Sequence, residues 1–84
     1  MEVKVLGPGC TKCLKLYEQV DQAIRQLGLD ARLVKVDKLD EIMKLGVLAT
    51  PALVIDGQVK VSGRLPSASE LTSWLTTAAA AAAG

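Results

Sequence analysis

Two thiols separated by two residues, Cys10-Thr11-Lys12-Cys13, are the one constellation in this 84-residue chain whose residue types and spacing point directly to chemistry. Positions three apart lie on one face of a helix, which brings two such sulfurs within bridging distance. A thiol at the start of a helix also meets unpaired backbone N–H groups and the positive end of the helix dipole, and both favour the thiolate. Cys10 is therefore expected to ionise more readily than a free thiol and to be the attacking group. Cys13, one turn further in and beside the apolar face, is expected to be less accessible and to act as the resolving thiol. Lys12 adds a positive charge that, exposed to water, tunes the thiolate only slightly. By itself a CxxC pair fits three chemistries: half a zinc site, a soft-metal carrier loop, or a redox-active dithiol.

The remaining inventory narrows these three. The chain has no His, which removes Ser-His-Asp and Cys-His nucleophile systems and every imidazole zinc site. A closed zinc site wants four ligands and an iron–sulfur cluster usually four thiolates, whereas only two Cys are present. Ten Lys+Arg against nine Asp+Glu give a net charge of +1, too little for a broad nucleic-acid-binding field. The opening MEVKVLGPG has no basic region followed by an apolar stretch. The longest mostly apolar run, Leu45 to Ile55, is far short of the roughly 20 residues of a membrane span. These features predict a cytoplasmic protein with no nucleic-acid or membrane partner. In that compartment a cysteine pair is more often reversible or metal-binding than a permanent bridge.

The elements that must position the thiols follow from the residue pattern. Residues 2–6 read as a strand that stops at Gly7-Pro8-Gly9. From Thr11, Leu16, Val20, Ala23, Ile24 and Leu27 recur at helical spacing, and Gly28 supplies a left-handed stop. Residues 32–36 form a second strand. Asp37 to Leu45 suit a short helix with Asp37 or Asp40 at its positive end and Gly46 closing it. Strands at 52–55 and 58–61 flank Asp56-Gly57, a strong hairpin signal. Ser67 and Glu70 form a capping-box pair, so a last helix starts near Ser67 and turns Leu71, Trp74 and Leu75 inward. The alanines from Ala78 to Ala83 extend this helix at no propensity cost but bury little surface, giving a domain over 1–77 and an alanine-rich tail over 78–84. The fold class is α/β: a four-stranded mixed sheet flanked by three helices in the order β-α-β-α-β-β-α.

With GPGCTKC at a strand-to-helix junction and GVLATPALVIDGQVKVSG downstream, residues 2 to about 77 resemble the thioredoxin superfamily, in particular its small, glutaredoxin-sized members. The resemblance implies a cis Thr50-Pro51 peptide packed against the cysteine pair, with Thr50 offering backbone groups to an extended substrate segment, and a proline that hinders metal capture by the dithiol. It also places Gly63 beside the active site, although a plain turn residue fits that position equally well. Tyr17 reads as a half-buried packing residue. The sequence departs from familiar thioredoxins in having Gly9 before the first Cys in place of Trp, and Thr11-Lys12 in place of Gly-Pro. Lys4 occupies the place of the acid that the family buries to accept the inner thiol's proton, and Glu2 is the only acid in that strand. Cys-Thr-Lys-Cys also differs from the common glutaredoxin Cys-Pro-Tyr-Cys.

The implied activity is thiol–disulfide exchange by a monomer that reduces disulfides in proteins. No cofactor or metal is bound, and reducing equivalents come from NADPH through a thioredoxin-reductase-like donor. Two other readings use the same scaffold features: a soft-metal (copper) carrier, and a redox-regulated adaptor. Heavy-metal-associated domains also place CxxC between the first strand and first helix, but they run strand, helix, strand, strand, helix, strand.

Overall fold

The computed structural model describes residues 1–83, so Gly84, the end of the expected tail, lies outside the described residues. Seven elements follow one another: β1 (Glu2–Leu6), α1 (Thr11–Leu27), β2 (Arg32–Val36), α2 (Leu39–Lys44), β3 (Ala52–Ile55), β4 (Gln58–Ser62) and α3 (Ala68–Ala83). The strands lie in the order β2-β1-β3-β4. β1 runs parallel to β2 and antiparallel to β3, and β3 runs antiparallel to β4. The mixed α/β sheet expected from sequence is therefore present.

Alternation along the strands decides which helix covers which face. On one face Val3, Val5, Leu53 and Ile55 pack with Leu16, Val20 and Ile24 of α1 and with Leu71 and Leu75 of α3. On the other, Leu6, Ala52 and Val54 pack with Val36, Ile42 of α2 and Val47. β3 is covered on both sides, so all four of its residues are buried, matching its unbroken apolar sequence. Trp74 and Tyr17 are half-buried against the larger cluster.

Local chemistry fixes the element ends. Asp56 (φ 48°) and Gly57 (φ 82°) form the hairpin turn with both central residues at positive φ. Ser67 Oγ accepts the Glu70 N–H at 3.1 Å, while the Glu70 carboxylate accepts the Ser67 N–H at 3.0 Å, so the capping box is closed in both directions. α3 continues through the alanine run to Ala83, and Ala78 packs on the larger core cluster.

Two boundaries differ from the sequence reading. α2 is shorter than residues 37–45, because Lys38 is extended (φ −86°, ψ 126°) and serves as a cap without a side-chain hydrogen bond. Asp37 is thus outside the helix, and Asp40 and Glu41 in the first turn meet its positive end instead. β4 reaches Ser62 rather than Val61. Leu53 faces Val61 while Val54 faces Val59, so a bulge absorbs Lys60 and the ladder continues one residue further.

The Glu70 carboxylate accepts two bonds from the Arg64 guanidinium, at 3.0 and 2.9 Å. These bonds, followed by the Ser67 N–H, hold its pKa down at about 2, against an ordinary 4.5. A depressed acid adds stability that is complete above its unfolded value and is lost as pH falls through the folded value. The stability gap between the parent chain and Glu70→Gln is accordingly expected to close as pH drops from about 4.5 to about 2. Urea midpoints across that range measure it, and the gap narrows in high salt because the pair is exposed.

Candidate active site

The sheet register gathers the predicted site residues at one end. Leu6, the last residue of β1, pairs with Ala52, the first of β3, and Ala52 pairs in turn with Ser62 at the end of β4. The Gly7–Cys10 loop, the Ala49–Pro51 segment and Gly63 therefore all leave the sheet at the same end.

Cys10 is itself the N-cap of α1. Its backbone is extended (φ −68°, ψ 163°), its carbonyl accepts the Leu14 N–H at 3.0 Å, and its Sγ accepts the Cys13 N–H at 3.2 Å. The cysteine thus takes the place usually held by Ser, Thr, Asp or Asn. No acidic residue lies in the first turn of α1, and Lys12 there is exposed. Negative charge at Cys10 Sγ would meet a donor and a positive helix end with no carboxylate in that turn to oppose it.

Cys10 and Cys13 are joined in a disulfide with their Cα atoms 5.0 Å apart. Cys10 is exposed, whereas Cys13 is 3% exposed. One sulfur therefore faces solvent and the other faces the protein, as the spacing predicts.

Gly7 closes the space behind Cys13. It is buried, its N–H donates to Val36 O at 2.9 Å, and a Cβ added there would overlap Cys13 Sγ and lie 2.7 Å from Cys13 Cβ. By its place in the sequence Gly7 reads only as a strand stop. Its requirement to be small arises from a contact between β1 and α1 that no local pattern encodes. The available signal was its position, three residues before the first thiol and directly after an apolar strand.

The Thr50-Pro51 peptide is cis, with Pro51 buried and Thr50 half-buried. Pro51 O accepts the Gly63 N–H at 2.9 Å, and Gly63 has φ 85°. Lys4 pairs with Glu2 at 3.4 Å and lines a groove with Val34, Val36, Glu41, Lys44 and Leu45. Its neighbours there are those of the α2 face.

A family model described as a thioredoxin domain matches residues 1–76. The chain belongs to the thioredoxin family. It is 34% identical over 76 residues to a thioredoxin of Methanothermobacter thermautotrophicus, a match covering 90% of this chain and 99% of the relative. It is also 38% identical over 69 residues to a thioredoxin of Methanocaldococcus jannaschii, covering 82% and 79% of the two chains. With the Cys10–Cys13 disulfide in place, the chain is a thiol–disulfide oxidoreductase. Thioredoxins act on disulfide-containing proteins, draw electrons from a reductase and need no bound cofactor. The copper-carrier reading is not favoured, since the chain follows its second strand with α2 and closes with α3 rather than with a strand. Among the described residues no group of three or more His, Cys, Asp or Glu is placed to hold a metal, and no helix is long and apolar enough to cross a membrane.

Proposed function

We propose that this chain reduces disulfides in other proteins with Cys10 as nucleophile and Cys13 as resolving thiol. The observation that carries the assignment is the asymmetry of the pair: Cys10 is exposed and caps α1, whereas Cys13 is buried against Gly7. The Cys10 thiolate attacks one sulfur of a substrate disulfide, the substrate S–S bond breaks, and the departing thiolate takes up a proton. Cys13, once deprotonated, then attacks the Cys10 sulfur. The mixed disulfide breaks, the second substrate thiol leaves, and the Cys10–Cys13 disulfide holds the two electrons' worth of oxidation. A thioredoxin-reductase-like partner returns those electrons, drawn from NADPH.

Thr50 and Pro51 are assigned to positioning the substrate backbone by strand-like contacts, and Lys12 to modest support of the thiolate. The protein acts as a monomer in the cytoplasm, in electron transport and cell redox homeostasis. The working unit is residues 1–77, in keeping with a family match that ends at residue 76. A chain ending at Thr77 is expected to reduce insulin at close to the full-length rate. It should also unfold at a slightly lower temperature, because Ala78 packs on the core. A large loss of activity in this insulin assay would place the tail within the working unit.

The test of the reading is catalysis of insulin reduction in dithiothreitol, together with the potential of the dithiol in glutathione buffers. A reductant has a potential well below the cytosolic glutathione poise. A rate no faster than dithiothreitol alone, or a potential well above that poise, would overturn the assignment.

A further inference from the structure

Beside the cis Thr50-Pro51 peptide a second chain segment runs close, and its side chain chemistry has no assigned role. Ser62 is the last residue of β4 and pairs with Ala52 at the start of β3. The ladder cannot continue in the ordinary way beyond that pair, since Pro51 has no N–H to donate. The next pair, Pro51 with Gly63, keeps one of its two ladder bonds, and a side-chain bond lies beside it. Ser62 Oγ donates to Ala49 O at 2.8 Å, and the Gly63 N–H donates to Pro51 O at 2.9 Å. The carbonyls on both sides of Thr50 are thus held from the same two adjacent residues.

Gly63 makes this approach possible. Its φ of 85° is a conformation that residues with side chains rarely adopt, and a Cβ there would come within 3.1 Å of Ala49 Cβ. The backbone at Gly63 therefore runs tight against Ala49, and the hydroxyl of Ser62 adds a side-chain bond to Ala49 O outside the ladder. An alanine at 62 would keep the strand and lose only that bond.

We infer that Ser62 is a positioning residue for thiol–disulfide exchange: its hydroxyl clamps Ala49 O and so holds the Thr50-Pro51 segment in the shape that receives a protein substrate. This rests on the proposed substrate-positioning role of Thr50-Pro51. A substrate segment that docks on a fixed loop does not have to order it, so the clamp acts on substrate affinity more than on the sulfur chemistry. The Ser62 hydroxyl bonds the Ala49 carbonyl and acts through it.

The experiment is steady-state reduction of insulin and of a small aromatic disulfide by the full chain and by Ser62→Ala, Ser62→Thr and Pro51→Ala. For Ser62→Ala the KM for insulin is expected to rise about 2- to 10-fold, the range of one hydrogen bond, with a much smaller effect on kcat and on the small disulfide. Ser62→Thr, which keeps the hydroxyl and suits a strand, is expected to restore the KM. Pro51→Ala is expected to raise the insulin KM as well. If Pro51→Ala raises it and Ser62→Ala does not, the clamp is wrong while the loop's role stands. If neither variant changes it, the loop reading fails and the clamp with it. Equal losses on insulin and the small disulfide, or no rescue by Thr, would reduce Ser62 to a structural residue and overturn the inference.

Discussion

Cys10→Ser is expected to keep its fold and lose insulin reduction down to the rate of dithiothreitol alone, while Cys13→Ser is expected to stall with substrate attached. Serine at position 10 retains an oxygen able to accept the Cys13 N–H, so the α1 cap survives. Its hydroxyl is a far weaker nucleophile at neutral pH than a thiol held at a helix start, and no neighbouring imidazole exists to activate it. On the proposed roles, Cys13→Ser leaves the exposed nucleophile intact and removes only the group that releases it. Mixed disulfides through Cys10 should then accumulate when this variant meets cell extract, visible as high-mass bands that collapse on reduction. The two variants thus have opposite signatures: no adduct for Cys10→Ser, persistent adduct for Cys13→Ser. The reverse pattern would exchange the two roles, and adducts from neither would remove the dithiol from the reaction.

The second large effect is expected at Gly7. In Gly7→Ala the new methyl overlaps both Cys13 Sγ and Cys13 Cβ. A change of rotamer can move the sulfur but not the Cβ, which the backbone of α1 holds, so either β1 or the start of α1 must shift. Overpacking of this kind costs about 1–3 kcal/mol. In a chain of this size each kcal/mol lowers Tm by roughly 4–8 °C. Thermal unfolding of the oxidised and reduced forms measures the loss, which is expected in both because the Cβ conflict does not depend on the disulfide. Gly9→Ala is the control: nothing lies within 4 Å of a Cβ there, although φ is +93°, so only backbone strain is added. A Gly7→Ala chain as stable as Gly9→Ala would remove the steric account of this contact.

Much of the scaffold is legible in local residue chemistry. The thiols, Gly28, Asp56-Gly57 and the Ser67/Glu70 box each carry their meaning within a few residues, and each ends or starts an element where expected. The parallel β1–β2 pair follows from the strand–helix–strand unit and the antiparallel β3–β4 pair from the hairpin, whereas the β1–β3 pairing that joins them has no local signal. The asymmetry of Cys10 and Cys13 is readable for the same reason, because Cys10 stands at the open end of the helix and Cys13 one turn in, beside the apolar stripe of Leu16, Val20 and Ile24. What is not legible depends on contacts between distant segments. Gly7 looks like a strand stop until α1 folds across it. Ser62 reads as a residue beyond the strand until the bulge at Lys60 carries the ladder to it. Asp37 is a plausible cap by type, but the extended backbone at Lys38 leaves it outside α2. Lys4 lies two residues from Glu2 on one strand, a spacing that allows their pairing, but its place in the groove with Glu41 and Lys44 has no local signal.

The cap at Cys10 links reactivity to driving force. An anion accepting the Cys13 N–H at the head of α1 is stabilised relative to the disulfide, in which the same sulfur carries no charge. Where the reduced Cys10 is ionised, free energy that the cap adds to the thiolate also makes the dithiol harder to oxidise: for a two-electron couple, 1.4 kcal/mol corresponds to about 30 mV of higher potential. If Cys10 is the nucleophile, as proposed, the bond that readies it also weakens the protein as a reductant, in full at pH values where the reduced Cys10 is ionised. Helix capping here acts as a set point, trading the speed of attack against the reducing power left once the attack is complete.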